Sequence, residues 1–522
     1  MRNRIPFILA GALYALSFPF YGKFNFLPFI FVSGFIYFKQ FLDENFTLKQ
    51  VLINTLLFSW AYNITGYYWL TFTLQEFGGL YFPFNFLLWQ TFSLIIAPQF
   101  YIFAILFYVI KRKIKNVHLN SMFLILFSLL WTLIEYFTPQ QFPAHFGHPW
   151  LQLAPYLKIA EVVGSPIFSF LTILTSLTVI WFVKHKEVKK FEVFVIISIL
   201  GFNFLSGEIK TPDHYDSINT RFVQANIGND LKLKSEGGVQ LAVNEVISIF
   251  EELSHRESTI GDIELTIWPE TAYPKYLMTK RSKIIPRDLK NIISKKGGKY
   301  FIGTYDLAHF RSTSFEQAYN TAIFVNDDNS ISETYHKRVL IPFGEGLPFG
   351  PFNEALSGLV QNISFFAEGE KFTFFKYDDQ TSFISLICYE ILFPEYLRSY
   401  LNSSSDRPSF MINITNDSWY GPYSEQEQHL FLAKWRSVEF NLPMLRSTNT
   451  GISTYILGNG IEVTRLGNFK QGNLDFKLQI SKSAETIFQS LGILSLLILV
   501  LALMIIKIIY LKILPSKDHA SL

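Results

Sequence analysis

Cysteine is almost missing from this 522-residue chain: Cys388 is the only one. An internal disulfide is thereby excluded, and any thiol chemistry must fall on that residue. Charge is scarce too. Asp, Glu, Lys and Arg make up 17% of the residues, against 49% hydrophobic ones and 55 phenylalanines. The scarcity is concentrated in runs. Residues 5–22, 51–74, 77–110, 116–134, 162–183 and 487–506 carry no charged side chain, and the shorter runs 24–38 and 193–207 join them. A bilayer core needs roughly 17–25 apolar residues per helix, so the pattern predicts about eight transmembrane helices, seven before residue 208 and one after 486. The first run also has the form of a cleaved signal peptide, but six further spans follow it and need no separate signal. Repeats and low-complexity tracts are absent.

The few charges that remain are ordered. Lys and Arg cluster in "MRNR", "KQFLDENFTLK" (39–49), "KRKIK" (111–115), "KHKEVKK" (184–190) and the tail from Lys507. The alternate connections are nearly bare: Lys23 stands alone, and 75–84 and 138–150 have no basic residue. Read by the positive-inside rule, this places both termini in the cytoplasm and residues 208–485 outside it. The net charge of +3 then reflects topology. With no single basic stripe, nucleic acid is not an expected partner.

Residues 208–485 have a different texture, polar and rich in turns. Strand-like runs occur at 220–227, 264–268, 299–305, 381–388 and 409–415, and helical stretches at 238–255 and 424–440. "YNTAIFVNDDNSISETYHK" (319–337) reads as two alternating runs around a turn, a hairpin. Strands mixed with helices predict an α/β layered domain. The expected division is a membrane domain over 1–207, the α/β domain over 208–485, and a last transmembrane helix with its tail over 486–522. Linkers are expected at 206–217 and 479–485.

Read alone, Cys388 in "SFISLICYEILFPE" (382–395) is a small buried hydrophobe. A nucleophilic cysteine needs company: a base, and a group to stabilise an oxyanion. Glu270 in "IWPETAYP" (267–274) follows a strand-like run and a proline, so it is expected at a strand's carboxyl end, where groups of open α/β sheets gather. Lys337 and Glu345 lie in "YHKRVLIPFGEGLPFG" (335–350). Taken singly, the first is a surface cation, the second a loop acid, and His336 carries no signal.

Taken together and in this order, "WPE", "YHKRVLIPFGE" and "ICYE" resemble the nitrilase superfamily, with its Glu–Lys–Cys triad. "NITNDSWYG" (413–421), "EQHL" (427–430) and "LPMLRSTNTGIS" (442–453) are similar to the closing segments of the apolipoprotein N-acyltransferase family, as is the order of helices, outer domain and final helix. One departure is visible. That family often has a tryptophan shortly after the first strand, where "QANIGNDLKLK" (224–234) offers only Leu231 and Leu233.

The resemblance implies a nitrilase-like αββα domain on the periplasmic side of a bacterial inner membrane. It also implies an enzyme that carries an acyl chain from a phospholipid, through a cysteine thioester, to the N-terminal amine of a diacylglyceryl-cysteine apolipoprotein. By motif, Glu270 is the base, Lys337 the oxyanion stabiliser and Cys388 the nucleophile, with Glu345, Tyr389 and Glu390 as supporting residues. A thiol with pKa near ~8.5 needs such a base. Keeping both lipid-bearing substrates in the bilayer avoids about 0.8 kcal/mol per CH₂ exposed to water. Glu135, Glu161 and "HFGH" (145–148) flank spans on the outer side, either as headgroup contacts or as charges facing water. The His-x-x-His pair lacks a third ligand, and the glycines of 344–350 form no phosphate loop, so no metal or cofactor is expected. Two other readings compete. A membrane-tethered amidase would use the same triad with water as acceptor, yet would hardly need eight spans. A transporter or receptor would need more ionisable residues inside its spans.

Overall fold

The structure, a computed structural model, describes residues 4–513 apart from 21–23, 44, 77, 114–120, 207–215, 309–317, 358–363 and 482–483. The basic cluster 111–115 and both expected linkers fall partly outside the described residues. Two compact units are present: Met1–Tyr68, Phe86–Glu208 and Thr486–Leu522 form one, and Trp69–Asn85 with Ile209–Glu485 the other.

The first unit is helical. Among the described residues, three segments are long and apolar enough to cross a bilayer: Phe84–Ile110, Pro166–His185 and Leu494–Lys512. The first of them is interrupted ahead of Pro98. Ile5–Leu16, Pro28–Leu42 and Met122–Phe137 are apolar but shorter. Phenylalanine is used here as packing material. Tyr37 meets Phe100 edge-on at 5.4 Å, and Phe38 meets Trp131 edge-on at 5.0 Å, the geometry that aromatic quadrupoles favour. Close crossing needs a small residue. A Cβ on Gly11 would lie 2.2 Å from the Phe58 carbonyl oxygen. The last helix is tied in by an ion pair between Lys507 and Glu192, both buried.

The second unit holds two sheets. Its strands are β1 (Asp216–Gln224), β2 (Leu265–Ile267), β3 (Tyr276–Leu277), β4 (Lys299–Leu307), β5 (Ala318–Val325), β6 (Ile331–His336), β7 (Phe375–Lys376), β8 (Ser382–Ile387), β9 (Phe410–Thr415), β10 (Met444–Thr448), β11 (Ser453–Ile456), β12 (Glu462–Leu466) and β13 (Gly472–Ile480). One sheet has the order β13-β1-β2-β4-β5-β6 with β3 beside β4, and the other β12-β11-β10-β9-β8-β7. β1, β2 and β4 are parallel, as are β8, β9 and β10. Parallel neighbours require crossovers, which Pro394–Leu401 and Glu425–Phe440 supply in the second sheet. β13 returns from the end of the domain to pair antiparallel with β1, Asp216 opposite Ile480.

The strands are apolar on both faces because both faces are covered. In β4, Tyr300 and Ile302 join a core with Val246 and Phe250 of the Gln240–His255 helix and with Leu289 and Ile293 of the Arg287–Lys296 helix. The residue between them, Phe301, turns to the other sheet and meets Phe383 at 5.6 Å. β5 does the same, with Ile323 and Val325 on the helix side and Phe324 against Phe383 at 5.2 Å. Two sheets therefore pack face to face, with helices outside the first. The expected hairpin at 319–337 is the β5–β6 pair, with Thr321 opposite His336.

Candidate active site

The residues singled out in the sequence sit in turns just beyond strand ends. β2 passes through Trp268 and Pro269 to Glu270, β6 ends one residue before Lys337, and β8 ends one residue before Cys388. Lys337 is fully buried, and its ammonium is shared between two carboxylates: Nζ donates to Glu345 Oε1 at 2.8 Å and to Glu270 Oε1 at 3.2 Å. Burial alone would lower the lysine's pKa, but the carboxylates of Glu270 and Glu345 hold it above the usual value. The ammonium is therefore a fixed positive charge.

Glu270 is oriented from both sides. Oε1 also accepts from Asn320 Nδ2 at 2.8 Å, and Oε2 accepts the backbone N–H of Asn416 at 3.0 Å. Glu345 Oε1 accepts a second bond from Asn320 at 3.1 Å, while its Oε2 accepts the Ile341 N–H at 3.0 Å. Glu345 thus locks the lysine to its own loop.

Cys388 is buried, with φ +51°, a left-handed conformation that costs a non-glycine residue about 1–3 kcal/mol and persists only where neighbours impose it. The thiol's pKa is raised by burial and by the charges of Glu270, Asp417 and Glu345, against which Lys337 acts. The resting group is thus a thiol, and a base must take its proton.

Glu390 supplies the imposition. Its Oε2 accepts the Ile387 N–H at 2.7 Å, and its Oε1 accepts the N–H groups of Arg338 and Val339 at 2.7 and 3.1 Å. The Tyr335 hydroxyl completes the set at 2.9 Å. One buried carboxylate therefore ties the cysteine turn to the segment on either side of Lys337. Tyr389 is buried beside Phe393, ring centroids 4.9 Å apart.

The sequence reading did not single out Asn320, Tyr335 or Lys232. Lys232 lies in the segment where the tryptophan is missing. Its Nζ donates to the Thr271 hydroxyl at 2.6 Å and carbonyl at 3.1 Å, holding the residue after Glu270 at φ +48°. Leu231 packs against the core, whereas Leu233 is exposed. His336, which carried no signal, stacks on Tyr319 and pairs with Asp306 at 2.9 Å. In the helical unit, Glu135 fits neither reading proposed for it. It is buried, and its Oε1 accepts the Phe146 N–H at 2.8 Å. Glu161 pairs with Lys158 at 2.6 Å. His145 and His148 stack on each other at 4.5 Å.

This arrangement of an acid, an ammonium and a thiol lies in residues 220–486, which match the Carbon-nitrogen hydrolase family model. The match spans just over half of the chain, and the chain belongs to that family. Residues 10–178 match a second model, the Apolipoprotein N-acyltransferase N-terminal domain. Curated relatives named apolipoprotein N-acyltransferase include one from Bdellovibrio bacteriovorus, 27% identical over 85% of this chain and 83% of that protein. Another, from Haemophilus influenzae, is 25% identical over 95% of this chain and 93% of its own length. Among solved structures, an amidase from Nesterenkonia sp. is 16% identical, covers 51% of this chain and 91% of that chain, and has a TM-score of 0.35.

Proposed function

We propose that this enzyme is a phospholipid-dependent acyltransferase that N-acylates apolipoproteins, working through a thioester on Cys388. One observation carries the reading: a buried ammonium shared by two carboxylates, next to the only thiol, in a chain that joins a carbon–nitrogen hydrolase domain to a helical domain of the acyltransferase type. Glu270 takes the Cys388 proton, and the thiolate attacks the ester carbonyl of the phospholipid. Lys337 faces the negative charge that develops on the carbonyl oxygen. Such a preorganised donor acts most strongly in a site closed to water. Collapse expels the lysophospholipid oxygen, which takes the proton back from Glu270, and leaves the acyl group on sulfur. The N-terminal amine of a diacylglyceryl-cysteine apolipoprotein then attacks. Glu270 removes its proton, and the thiolate leaves and is reprotonated, giving an amide.

In this reading the helical unit and the last helix span the inner membrane about eight times, with both termini cytoplasmic and the catalytic unit outside. The alternation of basic loops and the three long apolar helices support it. The test supplies purified enzyme with phospholipid labelled in its acyl chain and a diacylglyceryl-cysteine peptide. Label on the peptide's α-amine is expected. Label released as free fatty acid, with no dependence on the peptide, would mean a hydrolase instead.

A further inference from the structure

Behind the site lies a buried cluster with no assigned role. Asp417 follows β9 at φ +55° and is fully buried. Its Oδ1 accepts from the Thr415 hydroxyl at 2.8 Å and from His429 Nδ1 at 3.2 Å. Its Oδ2 accepts from Arg446 Nη2 at 2.9 Å, and Arg446, also buried, reaches Asn413 with its other amino group. The residue before Asp417 is Asn416, whose N–H holds Glu270 Oε2. The side chain of Asn416 is occupied as well. It donates to Ser418 Oγ at 2.9 Å and accepts from Asn449 Nδ2 at 2.8 Å. Burial and the Arg446 charge lower the pKa of His429 and favour its neutral ring, which donates to Asp417 through Nδ1. The cluster therefore holds the turn whose backbone carries the base's hydrogen-bond donor.

We infer that Asp417, clamped by Arg446 and His429, is a positioning residue that fixes the Asn416 N–H on Glu270 and so aims the base at Cys388. The inference rests on the proposed roles of Glu270 and Cys388. A backbone N–H aims a carboxylate only if its turn is rigid, and a left-handed turn at a non-glycine residue needs enforcement. The Arg446 bond is charge-assisted, the strong kind of hydrogen bond. Space enforces it as well, since a Cβ on Gly451 would fall 2.3 Å from Asp417 Oδ2.

A competing use of the cluster is a cation site, because Asp417, Glu425 and His429 present ligand atoms within 4.8 Å of one another. Charge argues against it. Burial and Asp417 push the Glu425 pKa well above the usual carboxylate range, which disfavours the anionic ligand a cation needs. The Arg446 guanidinium already balances Asp417. A divalent ion would have to sit beside it.

The single cysteine makes the test clean. Alkylation of the full-length enzyme by iodoacetamide reports Cys388 alone, independently of lipid. Asp417→Asn preserves shape but weakens the clamp. We expect its kcat for acyl transfer to fall about 10²-fold, the scale of a misplaced catalytic group, with KM for phospholipid within about 3-fold of the parent. Alkylation at pH 7 should slow. Simple electrostatics predicts the reverse, because Asp417 raises the thiol's pKa and its loss would speed the reaction. Should Asp417→Asn not fold, Thr415→Val, which removes one donor to Asp417, is expected to lose about 10-fold in kcat with the same split. Arg446→Lys, which keeps the charge, should retain more activity than Arg446→Met. Faster alkylation with unchanged kcat would overturn the inference, as would activity lost to EDTA and restored by zinc. If alkylation slows in Asp417→Asn while the parent never transfers acyl groups, the positioning stands and the acyltransferase reading fails.

Discussion

At the scale of single residues, the site is a problem of charge placement. Lys337 neutralises one of two adjacent carboxylates, and removing it leaves Glu270 and Glu345 buried without a counterion. Removing one partner of a buried pair costs about 3–5 kcal/mol. Loss of an oxyanion donor costs about 3–4 kcal/mol in the transition state. Lys337→Ala is therefore expected to fall below detectable turnover in a peptide-acylation assay. Lys337→Arg, which keeps the charge but cannot place a compact ammonium between two oxygens, should not rescue it. Asp417 makes a pH prediction. Despite its burial, Arg446 and His429 hold its pKa down to about 2, from 3.8. A depressed carboxylate contributes stability that is present above its unfolded pKa, near 4, and is lost as pH falls toward 2. Thermal unfolding in detergent should show on the order of 2 kcal/mol lost over that window by the parent enzyme and not by Asp417→Asn. Glu270, Lys337 and Cys388 could be read from the sequence because each is a chemically specific side chain in a recognisable motif. The donors that orient them could not. Asn320 lies inside a strand with no motif of its own, and the Asn416 contribution is a backbone N–H, which any residue type carries.

At the scale of elements, the distance between β4 and the turn after β2 sets the position of the base. Gly303 in β4 lies so close that a Cβ there would fall 2.2 Å from the Pro269 oxygen and 2.7 Å from Glu270 Cα. Gly303→Ala must push the 269–271 segment away. Overpacking of this kind costs about 1–3 kcal/mol, and the displaced base should reduce acyl transfer by about 10²-fold while the protein still folds. Gel filtration and a kinetic assay on the same preparation check both halves of that statement. A similar constraint binds Trp69–Asn85 to the catalytic unit. Trp69 donates to Gln428 at 3.1 Å and meets Tyr420 edge-on at 5.3 Å, and Gly421, at φ +69°, leaves room for Phe72. The elements themselves were largely legible, because strands buried on both faces read as apolar runs and the hairpin as alternation. The return of β13 to β1 was not, since its pairing joins segments some 250 residues apart and leaves no local trace.

At the scale of the whole molecule, scarcity of charge and of cysteine is informative. Charge-free runs mark the helical unit, and the basic loops between them carry the proposed orientation. That orientation is testable because the chain has a single native thiol to remove. In a Cys388→Ser background, Glu257→Cys lies in the catalytic unit and Lys186→Cys in a basic loop, both at exposed positions. A membrane-impermeant thiol reagent added to spheroplasts should label Glu257→Cys and spare Lys186→Cys until the cells are lysed. The reverse pattern would invert the topology.

The most direct measurement of the central claim is the intact mass of the purified enzyme after incubation with a phospholipid of defined acyl chains and no acceptor. The account predicts one added acyl group, mapped to Cys388, removed by neutral hydroxylamine, and absent from Glu270→Gln. An unmodified Cys388 in enzyme that still acylates a peptide, or an acyl group found on any other residue, would contradict it.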